Sequence, residues 1–146
     1  MIDYSTNITI NRPVEEVFRF AAAIENYPKW MSVADAKSLS DGPLGVGSVS
    51  QVTVAEGPFK GPAKLEITEW EPSRKYAFRS EPGAPLDWVG SFAFEPVGGS
   101  ATRVTSAGHV KLRGLMRLLE PLMAGEVRRG EANELKKLKS LLEDSH

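Results

Sequence analysis

A chain of 146 residues, 41% hydrophobic and 25% charged, has the size and composition of one globular unit spanning 1–146, with apolar content enough for a core that needs no staples. Its formal net charge of −1 creates no broad field of either sign, so nucleic acid is not an expected partner. No cysteine is present, which excludes disulfides, thiolate nucleophiles and Cys-based metal sites.

The opening Met1-Ile2-Asp3-Tyr4-Ser5 has neither the basic nor the apolar region of a signal peptide. No apolar run approaches the ~20 residues that span a bilayer. The expected location is cytoplasmic, without stable membrane insertion. Tyr4, Thr6, Ile8 and Ile10 alternate with polar residues and predict a first strand. Pro13 then suits a first helical position, with Glu15 and Glu16 in the turn where the helix dipole favours acids. Val14, Val17, Phe18, Ala21 and Ile24 continue at helical spacing. The segment 25–31, which holds Tyr27, Pro28, Trp30 and Met31, reads as a turn or a second short helix.

From Val33 to Val110 the pattern is that of strands. Candidates are a short strand at 34–40, then 48–56, 60–70, 74–81, 86–97 and 101–112. Between them lie turn-forming stretches: 41–47 with three glycines, Gly57-Pro58, Glu71-Pro72-Ser73, Pro82-Gly83-Ala84-Pro85 and the tight Gly98-Gly99-Ser100. Strands joined in sequence by short turns imply an antiparallel meander. The end of the chain is helical. Pro121 divides it into a short helix near 115–120 and a main helix over 121–143, about 34 Å long at 1.5 Å per residue.

These elements predict an α+β fold in which a curved antiparallel sheet of six or seven strands wraps around the long C-terminal helix. One helix cannot blanket so many twisted strands, so the sheet must curl and leave an apolar volume. The helix sequence points the same way. Leu118, Leu119, Leu122 and Met123 would anchor its start and Leu135, Leu138, Leu141 and Leu142 its end, while 124–133 offers only Val127 as a large aliphatic. Its charged residues, Glu126, Glu131 and Glu134 among the basic ones, read as a solvated face. The residues expected to line the volume are Trp30 and Met31 at one mouth, Val52, Val54, Leu65, Tyr76, Phe78, Trp88 and Phe92 on the sheet, and Met123 and Val127 on the helix.

Several motifs carry a resemblance to a known family: Ile8-Thr9-Ile10-Asn11-Arg12-Pro13-Val14-Glu15-Glu16-Val17-Phe18, Asn26-Tyr27-Pro28-Lys29-Trp30, Val46-Gly47-Ser48, Glu69-Trp70-Glu71-Pro72-Ser73-Arg74-Lys75-Tyr76, and the hairpin from Phe92 to Val104. Together they resemble the START/Bet v 1-like (SRPBCC) superfamily, in its polyketide cyclase/dehydrase and lipid-transport-like branch. The resemblance implies the helix-grip fold and a hydrophobic pocket. It transfers no catalytic residue, because the branch shares no single catalytic motif, and fold alone does not assign chemistry.

No catalytic constellation stands out in the sequence. His109 and His146 have no carboxylate cluster at ligand spacing, so no metal site is expected, and nothing calls for a cofactor. No nucleophile elbow accompanies His109, which by alternation lies opposite Val104, Ser106 and Val110 on a solvated face. The glycines of 42–47 lead into a strand, unlike a phosphate loop. Three functions remain open: binding or transport of a small hydrophobic molecule such as a lipid, quinone or polyketide-like compound; a cyclase or dehydratase using a cavity Tyr or carboxylate, with Tyr76, Asp87 and Glu126 as the titratable candidates; and a protein-interaction module. A titratable group projecting inward would favour the enzyme, and a large exposed apolar patch the interaction module.

Overall fold

The computed structural model describes residues 1–55, 60–81 and 86–144; the expected turns at Gly57-Pro58 and 82–85, the expected strand end at Glu56 and the terminal His146 lie outside them. Seven antiparallel strands form one sheet: β1 (Ile2–Ile10), β2 (Val33–Ser38), β3 (Val49–Val54), β4 (Gly61–Glu71), β5 (Lys75–Ser80), β6 (Leu86–Val97) and β7 (Ala101–Leu112). Their spatial order is β1-β7-β6-β5-β4-β3-β2, so the meander runs from one edge inward and β1 returns to pair with the last strand. The chain is α+β, with the helix-grip arrangement expected from its sequence.

Alternation decides which face of each strand is buried. On β5, Tyr76 and Phe78 are buried, and on β6, Phe92 and Phe94; in the registers Tyr76↔Phe92 and Phe78↔Gly90 they share the inner face. Register shifts at Ile67/Glu69 on β4 and at Val33/Asp35 on β2 are bulges, which bend a sheet and help it curl.

The helices connect the two edges. Helix α1 (Val14–Ala22) is entered through Pro13, whose carbonyl accepts from the Glu16 and Val17 N–H groups. Pro13 thus caps the helix from just outside its first turn, one position before that expected from the sequence. Val17, Phe18, Ala21 and Ala22 turn inward. A 3-10 turn (Ile24–Asn26) and the single-turn helix α2 (Tyr27–Trp30) follow, resolving the 25–31 segment as helical. At the other end, Gly114 takes a left-handed φ of 61°, turning the chain out of β7 into a 3-10 segment (Gly114–Leu119). Helix α3 (Glu120–Glu143) then runs for 24 residues. Glu120 fixes its start, its carboxylate accepting from the Met1 ammonium and from the Leu112 N–H (2.8 Å).

Candidate functional site

Helix α3 packs closely on β1, β7 and α2, and α2 in turn packs on β2, the opposite edge strand. Sheet and helices therefore close a ring: from β1 across the sheet to β2, then back through α2 and α3. The inner faces of β4, β5 and β6 look into the interior of that ring. Two apolar clusters occupy it. The larger joins α1, α2, the middle strands and the end of α3. The smaller joins Ile2, Tyr4, Val110 and Leu112 to Met123, Ala124 and Val127 of α3.

Every residue expected to line the volume falls within these two clusters. Trp30, Met31, Val52, Leu65, Tyr76, Phe78 and Phe92 are buried in the larger, with Val54 partly buried against it. Met123 and Val127 are partly buried in the smaller, and Trp88 touches both. Their rings form a continuous series: Trp30 meets Phe92 edge-on at 5.3 Å, Phe92 lies against Tyr76 at 5.2 Å, and Phe78 meets Trp88 edge-on at 4.8 Å. The indole N–H of Trp30 is fully buried and, among the described residues, finds no hydrogen-bond acceptor. A buried donor left in this way is costly unless something else satisfies it.

Along one row of the sheet two glycines face each other. Tyr4 pairs with Gly108 and Gly108 with Gly90, which pairs with Phe78. A Cβ on Gly108 would fall 2.2 Å from the Val89 carbonyl oxygen and 2.7 Å from the Tyr4 hydroxyl; one on Gly90 would fall 2.7 Å from the Phe78 ring. The bare backbone is what lets the Tyr4 and Phe78 rings lie over this row. There the Tyr4 oxygen accepts a hydrogen bond from Trp88 Nε1 at 2.9 Å.

Facing this row, α3 presents carboxylates. Glu131 accepts a hydrogen bond from the buried Ser106 hydroxyl at 3.3 Å. Burial pushes its carboxyl up to about 7, against the smaller opposing effect of Ser106. Burial, reinforced by the charge of Glu131, raises Tyr4 well above the ordinary tyrosine value. Glu134 is also buried, and its charge adds to the upward shifts of both Tyr4 and Tyr76. Tyr76 is raised mainly by burial and then by Tyr27, to which it is hydrogen-bonded; its hydroxyl also lies 3.2 Å from the Ala21 carbonyl it donates to. Tyr27 itself is pushed up to about 12, again by burial.

Two expectations about α3 need correction. Glu131 and Glu134 are not on its solvated face but turn inward, whereas Leu118 and Leu122, expected to anchor its start, are exposed. The physical reason is helical phase. Glu120, Met123, Val127, Glu131, Glu134 and Leu138 recur at three- and four-residue steps along one side of the helix, and Leu122 lies off that stripe. Of the other titratable candidates, Asp87 is partly exposed at the surface and paired with Arg113 (2.5 Å), an interaction that holds its carboxyl below the usual range, and Glu126 is exposed. Among the described residues no group of three or more His, Asp or Glu side chains is placed to hold a metal ion, and no helix is long and apolar enough to cross a membrane.

Against known proteins, residues 1–143 match the model of the family described as polyketide cyclase/dehydrase and lipid transport. The chain belongs to that family. No curated protein matches significantly. Among solved structures, TTHA0849 from Thermus thermophilus is similar over 99% of both chains, with 23% identity and a TM-score of 0.81. The Zhui aromatase/cyclase from Streptomyces sp. R1128 shares 15% identity over 97% of this chain and 93% of its own, with a TM-score of 0.76. The di-domain aromatase/cyclase BexL, from the BE-7585A biosynthetic pathway, shares 18% identity at a TM-score of 0.73; the match covers 98% of this chain but 47% of BexL, so this chain spans about half of that protein. At these identities the likeness is one of fold, and chemistry has to be argued from the interior of this family member itself.

Proposed function

We propose that this protein binds a small, mostly apolar molecule between the inner face of the sheet and α3, with the molecule's flat body against the aromatic series and its polar group beside Glu131. The observation that carries this reading is the aromatic series running from Trp30 through Phe92 and Phe78 to Trp88, with the buried indole N–H of Trp30 left without an acceptor among the described residues. A core that serves packing alone gains little from a carboxylate whose ionisation burial opposes. A ligand hydroxyl or carbonyl would give that carboxyl, and the Trp30 indole N–H, a partner. Phe78, Trp88 and Phe92 supply ring faces and edges for a planar body. The family description, which spans polyketide cyclisation and lipid transport, supports a polyketide-like, quinone or lipid ligand.

A second reading is catalytic, a cyclase or dehydratase, and one observation favours it. A carboxyl raised to about 7 is present in both protonation states near neutral pH, where it can give or take a proton at a bound carbonyl chain. Tyr4, beside it, would hold the substrate oxygen. The family description, which names polyketide cyclases and dehydrases, supports the same reading.

Titration with a planar anthraquinone while recording tryptophan fluorescence tests the binding reading. Saturable quenching of the wild type is expected. In Val127→Trp, where bulk is added at a half-buried position in the same cluster as Trp88, affinity should fall at least about tenfold while the circular dichroism spectrum is retained. Absence of saturable quenching by any of a panel of quinones, aromatic polyketides and fatty acids, with no small molecule retained in native mass spectrometry, would sink the proposal. Glu131→Gln separates the two readings. Loss of turnover of a β-hydroxy polyketide analogue with binding kept supports catalysis, and no turnover by the wild type leaves binding alone.

A further inference from the structure

The 3-10 segment that joins β7 to α3, together with the first turn of α3, places its leucines in solvent. Leu115, Leu118 and Leu122 are 85%, 77% and 81% exposed, with Met116 and Leu119 partly exposed alongside. Scattered apolar side chains on a surface are ordinary, but a run of them on one short turn is not. They border a depression of about 380 Å³ lined by Leu115 and Leu118 together with Lys111, Arg117 and Glu120.

The charges around this patch decide its partner. Lys111, Arg113 and Arg117 are all exposed. The nearby acids are already engaged, Asp87 by Arg113 and Glu120 by the Met1 ammonium and the Leu112 N–H. Lys111 acts on Asp87 and Arg117 on Glu120 from beyond salt-bridge distance, and the cations Lys111, Arg113, Arg117 and the Met1 ammonium outnumber the carboxylates Asp87 and Glu120, so the rim of the patch is cationic on a chain whose net charge is −1. A second copy of the chain would bring the same cationic rim against itself if the patch paired with its own counterpart. An anionic lipid surface offers phosphates for Lys111 and Arg117 and a hydrocarbon boundary for the leucines. We infer that the 114–122 segment is a docking surface for anionic membranes, onto which the leucines dip without spanning. The inference stands independently of what the interior binds.

Co-sedimentation with phosphatidylcholine vesicles, with and without phosphatidylglycerol, tests it on the full chain. The wild type should bind the anionic vesicles, release from them as salt is raised, and bind the neutral ones at least about tenfold more weakly. The Leu118→Ser, Leu122→Ser double variant should lose at least about tenfold in partitioning at low salt with its melting curve unchanged, because both side chains are already in water. Lys111→Ala with Arg117→Ala should lose the preference for anionic vesicles. Three results would overturn the inference: no sedimentation of the wild type with anionic vesicles at low salt, equal partitioning of the leucine variant, or light scattering that shows a wild-type dimer made monomeric by the leucine substitutions.

Discussion

Between Glu134 and Leu142 the C-terminal helix buries Leu135, Leu138 and Leu142 and ties itself to the first strand and the turn after it, with Lys139 donating to the Thr9 carbonyl and Arg12 to the Leu142 carbonyl. Between Leu115 and Leu122 the same helical region holds as many leucines and leaves most of them in water. Composition does not separate the two stretches; phase and seating do. In the C-terminal half Leu135, Leu138 and Leu142 point inward and only Leu141 is partly exposed. In the N-terminal half the inward stripe is occupied by Glu120, Met123 and Val127, and the leucines fall to either side of it. Both halves are seated, but the C-terminal half is seated by its leucines, while the N-terminal half is seated by Glu120, Met123 and Val127 and leaves its leucines facing outward. The helix centre, at Glu131, is where burial is spent on a charge.

The clamp that the C-terminal half forms depends most on Leu138, which has no exposed surface. Leu138→Ala should cost about 2–5 kcal/mol, the transfer of its side chain plus the void left where α3 meets the larger cluster. Chemical denaturation with an unchanged slope checks this. A loss of less than about 1 kcal/mol would mean that the C-terminal half is not the clamp.

Glu131 tests the centre. Its carboxyl is raised from 4.5 to about 7, so the folded state holds the proton more tightly than the unfolded chain does. Its contribution to stability is complete below about pH 4.5 and is lost as pH rises toward 7, levelling off above. Each pH unit between the unfolded and folded values is worth about 1.4 kcal/mol, so the whole loss is on the order of 3 kcal/mol. Glu131→Gln should flatten this part of the stability–pH curve and melt at a higher temperature than the wild type at pH 8. A wild-type curve that is already flat between pH 5 and 8 would place the carboxylate in water instead.

How much of this was legible beforehand depended on whether local pattern or tertiary placement decided it. Tyr76, Phe78, Phe92 and Phe94 alternate with short or polar residues and are followed by turn residues, so the strands and their inward faces could be read directly. Pro13 and Pro121 marked the two helix starts to within one residue. The inward glutamates could not be read in the same way. Glu131 and Glu134 stand among Arg128, Arg129, Lys136 and Lys137, and such a mixture ordinarily marks a solvated surface. The signal was available in the stripe Glu120, Met123, Val127, Glu131, Glu134, Leu138, but a periodicity built partly from acids is discounted when only apolar residues are counted. Leucine abundance misled in the opposite sense, since Leu118 and Leu122 are large and apolar yet out of phase. Tyr4 was missed as a site residue because its role rests on Gly90 and Gly108, which lie far from it in sequence and adjoin it only through the β1–β7–β6 pairing.

Gly130 sharpens the picture one residue from the glutamate. It is partly buried in the helix interior, yet a Cβ built on it meets nothing within 4 Å. Gly130→Ala should therefore stabilise the chain by roughly 0.5–1 kcal/mol, from reduced freedom of the unfolded backbone and better helix propensity. A rise of a few degrees in melting temperature is the expected reading. A fall would mean that the helix centre packs more tightly than its glycine suggests.

The smallest effect should come from Leu118→Ala, and its smallness is the point. In the C-terminal half the same substitution opens a void; here it removes apolar surface that is 77% exposed in the folded protein and exposed in the unfolded one as well. Little transfer free energy distinguishes the two states, so stability should stay within about 0.5 kcal/mol of wild type. If Leu118→Ala instead destabilises the chain as strongly as Leu138→Ala, the 3-10 segment must close down over the fold in solution. The two halves of the helix would then share one structural role, and no apolar surface would be left there for a partner to cover.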